Sequence, residues 1–241
     1  MLVPCLFTSF ISFLGGIMQG VTGFGIGIVQ MMLLPIFFPL TEAAAISTMI
    51  AFFLSLSVFL RYRRHVHMKK ILFPAVLYLI GSYFSIQFAV YVNQALLQRL
   101  LGAFLLFLTL YDLFLRKQER AEIHFGKTVL FSLFSGTCSG LFGIGGPLMA
   151  VLFLSISDTK EEFHGSIQGL FTITTLVNSL IRIHKNILSA EHLPFILIGG
   201  ISVLIGGLAA KRIVDHINKE KLYQITYAFV GISGLLNLFG L

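Results

Sequence analysis

Five stretches of this chain carry no Asp, Glu, Lys or Arg: residues 1–41, 71–98, 128–157, 193–210 and 222–241. About 20 apolar residues in a helix cross the hydrocarbon layer of a bilayer. Inside that layer every backbone polar group must find its partner within the protein. Several of the runs reach the crossing length, so the chain is expected to be an all-α integral membrane protein that crosses repeatedly. Composition agrees, with 11% charged residues against about 25% in soluble domains. The first run begins at Met1 without a basic leader and continues through Gly16 to Pro35, so it reads as a membrane segment rather than a cleaved signal.

The net charge of +7 would suit nucleic acid if it were spread over a face. It is confined instead to short segments between apolar runs: Arg61, Arg63, Arg64, Lys69 and Lys70, then Arg116, Lys117, Arg120 and Lys127. Basic residues in such loops orient a membrane protein with those loops in the cytoplasm, and no groove-reading motif accompanies them. Nucleic acid is therefore excluded as a partner, and the lipid bilayer of the cell membrane is expected. Cys5 and Cys138 lie in apolar runs and read as small core residues.

Comparison of the chain with itself exposes its organisation. Residues 15–92 laid over 135–212, a shift of 120, superpose Gly16 on Gly136, Gly20 on Gly140, Gly23 on Gly143 and Gly25 on Gly145. Glu42 then meets Glu162, and Pro74 meets Pro194. The expected fold is a polytopic bundle of about eight hydrophobic segments in two tandem repeats, residues 1–116 and 124–241, each opening with a glycine-broken segment. The spans are 2–38, 42–60, 71–92 and 95–115, then 128–155, 163–182, 193–211 and 221–240, with 115–127 as linker. Residues 61–70 hold five Lys and Arg and 116–127 hold four, whereas 93–98 holds none beyond its edge; 211–221 holds four and 182–192 two. That pattern favours inverted repeats, each broken segment entering and leaving on one face. Parallel repeats, with a single crossing there, are the alternative.

The breaks carry the chemistry. Gly20-Val-Thr-Gly23-Phe-Gly25-Ile-Gly27 and Gly140-Leu-Phe-Gly143-Ile-Gly145-Gly146-Pro147 are too rich in helix breakers for a continuous helix. Freed backbone groups must then face protein or a water-filled cavity. Paired breaks at matching places in two halves point to a transport site. A helix restarting after each break offers unpaired N–H groups and the positive end of its dipole to an anion. Neutral donors cluster nearby: Gln19, Thr22 and Gln30 in the first copy, Ser135, Thr137 and Ser139 in the second. The expected substrate site comprises Gln19, Gly20, Thr22, Gly23, Gly25, Gln30, Ser139, Gly140, Gly143, Gly145 and Gly146. It is joined by Gln168, Thr172 and Thr175, at helical spacing on the most polar span, with Ser179 continuing the face. Neither broken stretch contains Lys or Arg, so an anion would be held by dipoles without a fixed countercharge. Close helix packing is the competing reading for Gly16, Gly20, Gly136 and Gly140.

Glu42 and Glu162 begin their helices at equivalent places and read first as carboxylates at helix N-termini, with proton coupling as the alternative. Asp112 and Arg116 suit a helix-end ion pair. Arg99, Arg182, Lys211 and Arg212 sit near helix ends and read as interfacial anchors or as an electrostatic funnel for anions. His65, His67, His124, His184, His192 and His216 lie in or beside loops without metal-ligand spacing. No cofactor is called for, and no catalytic constellation is recognisable, so an enzyme is not expected. GFGIG lacks the strand and acidic residue of a dinucleotide site.

At GGIMQGVTGFGIGIVQMMLLP (15–35) and SGTCSGLFGIGGPLMAVLF (135–153) the chain resembles the sulfite exporter TauE/SafE family of bacterial and archaeal membrane proteins. Gly140 to Pro147 follows that family's pattern closely, while Gln30 departs from it. The resemblance implies a duplicated unit of about four segments and a carrier for sulfite, organosulfonates or related sulfur oxyanions; coupling to protons or another ion is left open by the sequence. A membrane accessory subunit without transport activity is the alternative.

Overall fold

The computed structural model describes residues 2–115 and 125–213, together with 231, 232, 234, 235 and 237–239. All regular structure among them is helical: α1 (Leu2–Thr22), α2 (Ile26–Leu33), α3 (Leu40–Tyr62), α4 (Met68–Ala89), α5 (Gln94–Leu115), α6 (Phe125–Phe142), α7 (Gly146–Ile156), α8 (Lys160–His184) and α9 (Leu193–Ile213), with short 3-10 turns at Leu34–Ile36, Arg63–His65 and Ala190–His192. Four of these helices are long and apolar enough to cross a membrane, and the apolar helices at 26–36, 94–110 and 146–156 are shorter. Most of the 115–127 linker, the loop that holds Lys219 and Lys221, the side chains of Asp112, Lys211 and Arg212, and His124 and His216 lie outside the described residues, as does much of the final span.

Both glycine clusters break their helices, and the chain doubles back at each. Gln30 on α2 donates to Ser12 Oγ on α1 at 2.9 Å; eighteen residues of straight helix would separate them by about 27 Å. Likewise Gly145 lies so close to the Ser135 carbonyl that a methyl group on it would sit 2.7 Å from that oxygen. Gly23 and Gly143 turn the chain with φ of +85° and +68°, a region that costs a residue with a Cβ about 1–2 kcal/mol.

The helices leading into the breaks pack on partners from the other half of the chain. α1 lies along α9, α6 along α4, and α3 crosses α8. Glycines set the first two contacts. A methyl on Gly16 would overlap the Val203 carbonyl oxygen, and one on Gly20 would lie 2.6 Å from Ala210 Cβ. On α6, Gly136 rests on the Tyr78 backbone and Gly140 on Ser82 and Ser85 of α4. These four glycines therefore serve close helix packing. Gly102 of α5 similarly meets Gly234 and Leu238 near the end of the chain.

α8 is the most polar helix and lies against α3, α4 and α7. Gly165, Ser166, Gln168, Thr174, Asn178, Ser179 and Arg182 on it are all buried. Such a helix is sustained in a membrane when neighbouring helices, not lipid, meet its polar face. The outer helices show the opposite pattern. Leu2, Leu6 and Phe10 on α1 and Leu72, Val76, Ile80, Phe84 and Phe88 on α4 form exposed apolar stripes at four-residue spacing, as lipid-facing surfaces require.

Candidate functional site

The two breaks touch. A methyl on Gly27 would lie 2.5 Å from the Gly143 carbonyl oxygen, and one on Gly146 would lie 2.8 Å from Phe24 Cβ. Around this contact is a cavity of about 40 Å³, room for a few water molecules or one small polyatomic ion. The N-terminal turns of α2 and α7 form part of its wall, through Gly25, Ile26, Gly27 and Ile28 on one side and Gly145, Gly146 and Pro147 on the other. Their first amide groups have no partner within their own helices, and both dipoles present their positive ends here.

The lining is paired by the same shift of 120. Gln19 and Ser139, Phe24 and Ile144, Gly25 and Gly145, Ile26 and Gly146, Gly27 and Pro147, Ala51 and Phe171, and Ser55 and Thr175 all line the cavity. Ile28, Thr48, Tyr78 and Gly143 complete it. Of the fourteen residues expected at the site, the wall includes Gln19, Gly25, Ser139, Gly143, Gly145, Gly146 and Thr175. The other seven lie elsewhere or just behind. Gly20 and Gly140 are at the helix contacts described above. Thr22 accepts from the Phe24 amide at 3.2 Å and bonds the Met18 carbonyl at 3.0 Å, closing the first turn. Gln30 ties α2 to α1. Thr172 bonds the Gln168 carbonyl of its own helix at 2.7 Å.

Gln168 and Gly23 form a second layer. Gln168 Nε2 donates to the Gly23 carbonyl at 2.7 Å, while its Oε1 accepts from Gln19 Nε2 at 3.1 Å. Gln19 also reaches Ser55 Oγ at 3.3 Å. A carbonyl exposed by the first break is thereby satisfied by a neutral amide that belongs to the other half.

Arg182 does the corresponding work at the second break, contrary to its expected place at an interface. It is 2% exposed. Nη1 donates to the Ala44 carbonyl at 2.6 Å and to Thr48 Oγ1 at 2.5 Å; Nη2 donates to the carbonyls of Ser139 at 3.1 Å and Gly140 at 2.9 Å. The Arg182 main-chain carbonyl accepts from the Ile187 and Leu188 amides just after α8. A buried cation thus stands beside the second break, and it comes from α8, outside both broken stretches. One helical turn earlier, Asn178 accepts from Ser82 Oγ at 2.7 Å and reaches Ser139 Oγ at 3.5 Å. Tyr78 is a wall residue of α4 that the sequence did not single out, and its buried phenol, a polar handle in an apolar run, was its one signal.

At the ends of the bundle the two equivalent glutamates each hold a partner. Glu162 accepts from Lys70 Nζ at 2.8 Å and from the Asp158 amide at 2.9 Å, and these hold its carboxyl below its ordinary pKa. Thr159 caps the same helix by accepting from the Glu162 amide. Glu42 meets His192 Nε2 at 3.2 Å. Among the described residues no group of three His, Cys, Asp or Glu could hold a metal ion.

A family model described as Sulfite exporter TauE/SafE matches residues 8–236. No curated protein and no solved structure matches the chain.

Proposed function

Because the chain belongs to the sulfite exporter TauE/SafE family, a family of membrane transporters, we propose that it carries a small sulfur oxyanion through the cavity between its two glycine breaks. The observation that carries this reading is the convergence of two helix N-termini on one small cavity whose lining is paired between the halves. Positive dipole ends, amides without helical partners and the Ser139 hydroxyl suit an oxyanion. The volume of about 40 Å³ favours sulfite over an organosulfonate with a bulky tail.

The repeats are inverted, on this reading, and each broken segment is a hairpin that enters and leaves on one face. The reversal of the chain at each break supports this, as do the two end pairs. In the inverted layout residues 70 and 162 share the basic, cytoplasmic face, and residues 42 and 192 share the opposite one. Those are the residues joined by Lys70–Glu162 and Glu42–His192. A parallel layout would put the members of each pair on opposite faces. Burial of Arg182 also leaves Lys185 as the remaining Lys or Arg of the 182–192 segment, which strengthens the charge asymmetry. Rocking of one half against the other would then expose the cavity alternately to the two sides.

The test is flux of labelled sulfite into proteoliposomes, with and without a proton gradient, for the wild type and for Gly23→Ala, Gly143→Ala. Saturable wild-type flux that the folded double variant loses supports the reading. Absence of sulfite and organosulfonate flux from folded wild type overturns it in favour of an accessory role.

A further inference from the structure

Buried charges in proteins are normally paired, and among the described residues Arg182 is not paired with a carboxylate. Its four hydrogen bonds go to three carbonyls and one hydroxyl, all neutral. Glu42 and Glu162, the carboxylates at the starts of α3 and α8, are engaged with His192 and Lys70 at the ends of the bundle. Two of the groups that Arg182 holds belong to Thr48 and Ser139, which line the cavity. The guanidinium therefore stands one residue behind the wall, with a charge that the described residues leave uncompensated.

We infer that Arg182 sets the charge selectivity of the cavity: it is the fixed positive charge that a bound anion completes, and it makes the second break the seat of the anion. This deepens the transport reading above and rests on it. The physical reason lies in the ends of the broken helix. α6 finishes with its carbonyls, the negative end of its dipole, close to where α7 begins with its amides. Carbonyl charge left there would oppose an anion drawn by the amides. The Gly143 amide already donates to the Ser139 carbonyl, and Arg182 adds charged donors to the carbonyls of Ser139 and Gly140, so the α7 amides dominate the local field. Ser139 Oγ lies within reach of the Asn178 amide, and Ser139 lines the cavity. At the first break the equivalent service comes from Gln168, which carries no charge. Arg182 is thus a positioning residue that acts through Ser139 and the α7 amides, and the positive potential is one-sided.

Three variants test this: Arg182→Lys, Arg182→Gln and Asn178→Asp. Asn178→Asp places a carboxylate one turn before the guanidinium with little change of shape, neutralising the charge while leaving Arg182 in place. Purified protein is titrated in a thermal-shift assay with sulfite and with dimethyl sulfoxide, a neutral molecule of similar size and pyramidal shape, and sulfite flux is measured in parallel. Wild type should be stabilised by sulfite and much less by the neutral molecule. Asn178→Asp should keep or raise the Tm of the unliganded protein yet lose about 100-fold in sulfite affinity, and Arg182→Gln should lose as much. Arg182→Lys should retain preference for the anion at reduced affinity. If Arg182→Gln does not fold, Asn178→Asp decides alone. Retention of wild-type sulfite preference in folded Asn178→Asp or Arg182→Gln would overturn the inference while leaving transport intact. Wild type that neither binds nor moves sulfite would instead overturn the transport reading beneath it.

Discussion

At the first break the Gly23 carbonyl accepts one bond from the Gln168 amide, and the turn is closed by Thr22. At the second, two carbonyls accept from the guanidinium of Arg182, and Phe142 stands where Thr22 would be. The first turning residue is shared, since Gly23 and Gly143 both have positive φ, although Gly25 at φ +115° and Gly145 at φ −131° then differ. The covering side chains are not shared. Both come from α8, which passes along the two breaks and treats them differently. Breaking a helix inside a membrane exposes carbonyls as inevitably as amides, so every such site needs donors turned toward the chain itself before any donor can serve a substrate. Meeting that need with an amide at one break and a cation at the other turns two similar turns into a polarised pair.

The largest effects should come from testing whether the two halves are equivalent as scaffold. Gly16→Val and Gly136→Val each push a side chain into the backbone of a partner helix, α9 in one case and α4 in the other. Overpacking of this kind costs about 1–3 kcal/mol or more, and both variants should show several-fold less folded protein by fluorescence-detected size exclusion. Gly126→Ala, where an added methyl meets nothing within 4 Å, is the matched control and should match wild type. A loss confined to one half would show that the halves carry unequal shares of stability.

A smaller effect is expected at the first cap. Gln168→Leu strands the Gly23 carbonyl and removes one of the two acceptors of Gln19, a cost of about 1–3 kcal/mol. The Tm should fall, while the anion-to-neutral preference of the folded fraction stays near wild type because no charge is altered. Loss of that preference would mean that the breaks share the charge-selecting role after all.

The smallest effect concerns the ends. A carboxyl whose folded pKa is depressed stabilises the fold above its unfolded value and loses that contribution as pH falls through the folded one. Glu162, held by Lys70 below its ordinary 4.5, should make the wild-type Tm decline on acidification below that value. Glu162→Gln should flatten this part of the profile. Lys70 is 39% exposed, so the pair is worth about 1 kcal/mol or less.

The breaks were readable because glycine and proline announce backbone conformation directly: Gly23, Gly25 and the Gly143–Pro147 run needed no tertiary knowledge. The same holds for the glycine faces of α1 and α6, whose four-residue spacing is a packing signature. Arg182 was not readable in this way. It lies two residues before the end of α8, beside His184 and Lys185, where a membrane arginine ordinarily anchors at the interface. Its burial depends on α3 and the end of α6 lying next to it, and neither contact is encoded locally. Thr172 and Thr175 both bond the carbonyl four residues back, yet Thr175 lines the cavity and Thr172 is not among its lining residues, a difference that helical spacing alone does not encode.

The exchange of partners between the halves also governs how the molecule can be made. Gly16 finds its seat against Val203, 187 residues later, so α1 emerges from the ribosome about 10–40 s before its seat exists. During that interval its glycine face has no protein surface to close on, and α4 waits in the same way for α6. Neither half can mature as a finished module and then dock. A chain interrupted after α5 would hold two unmatched seams in the bilayer, and only synthesis through α9 can close both.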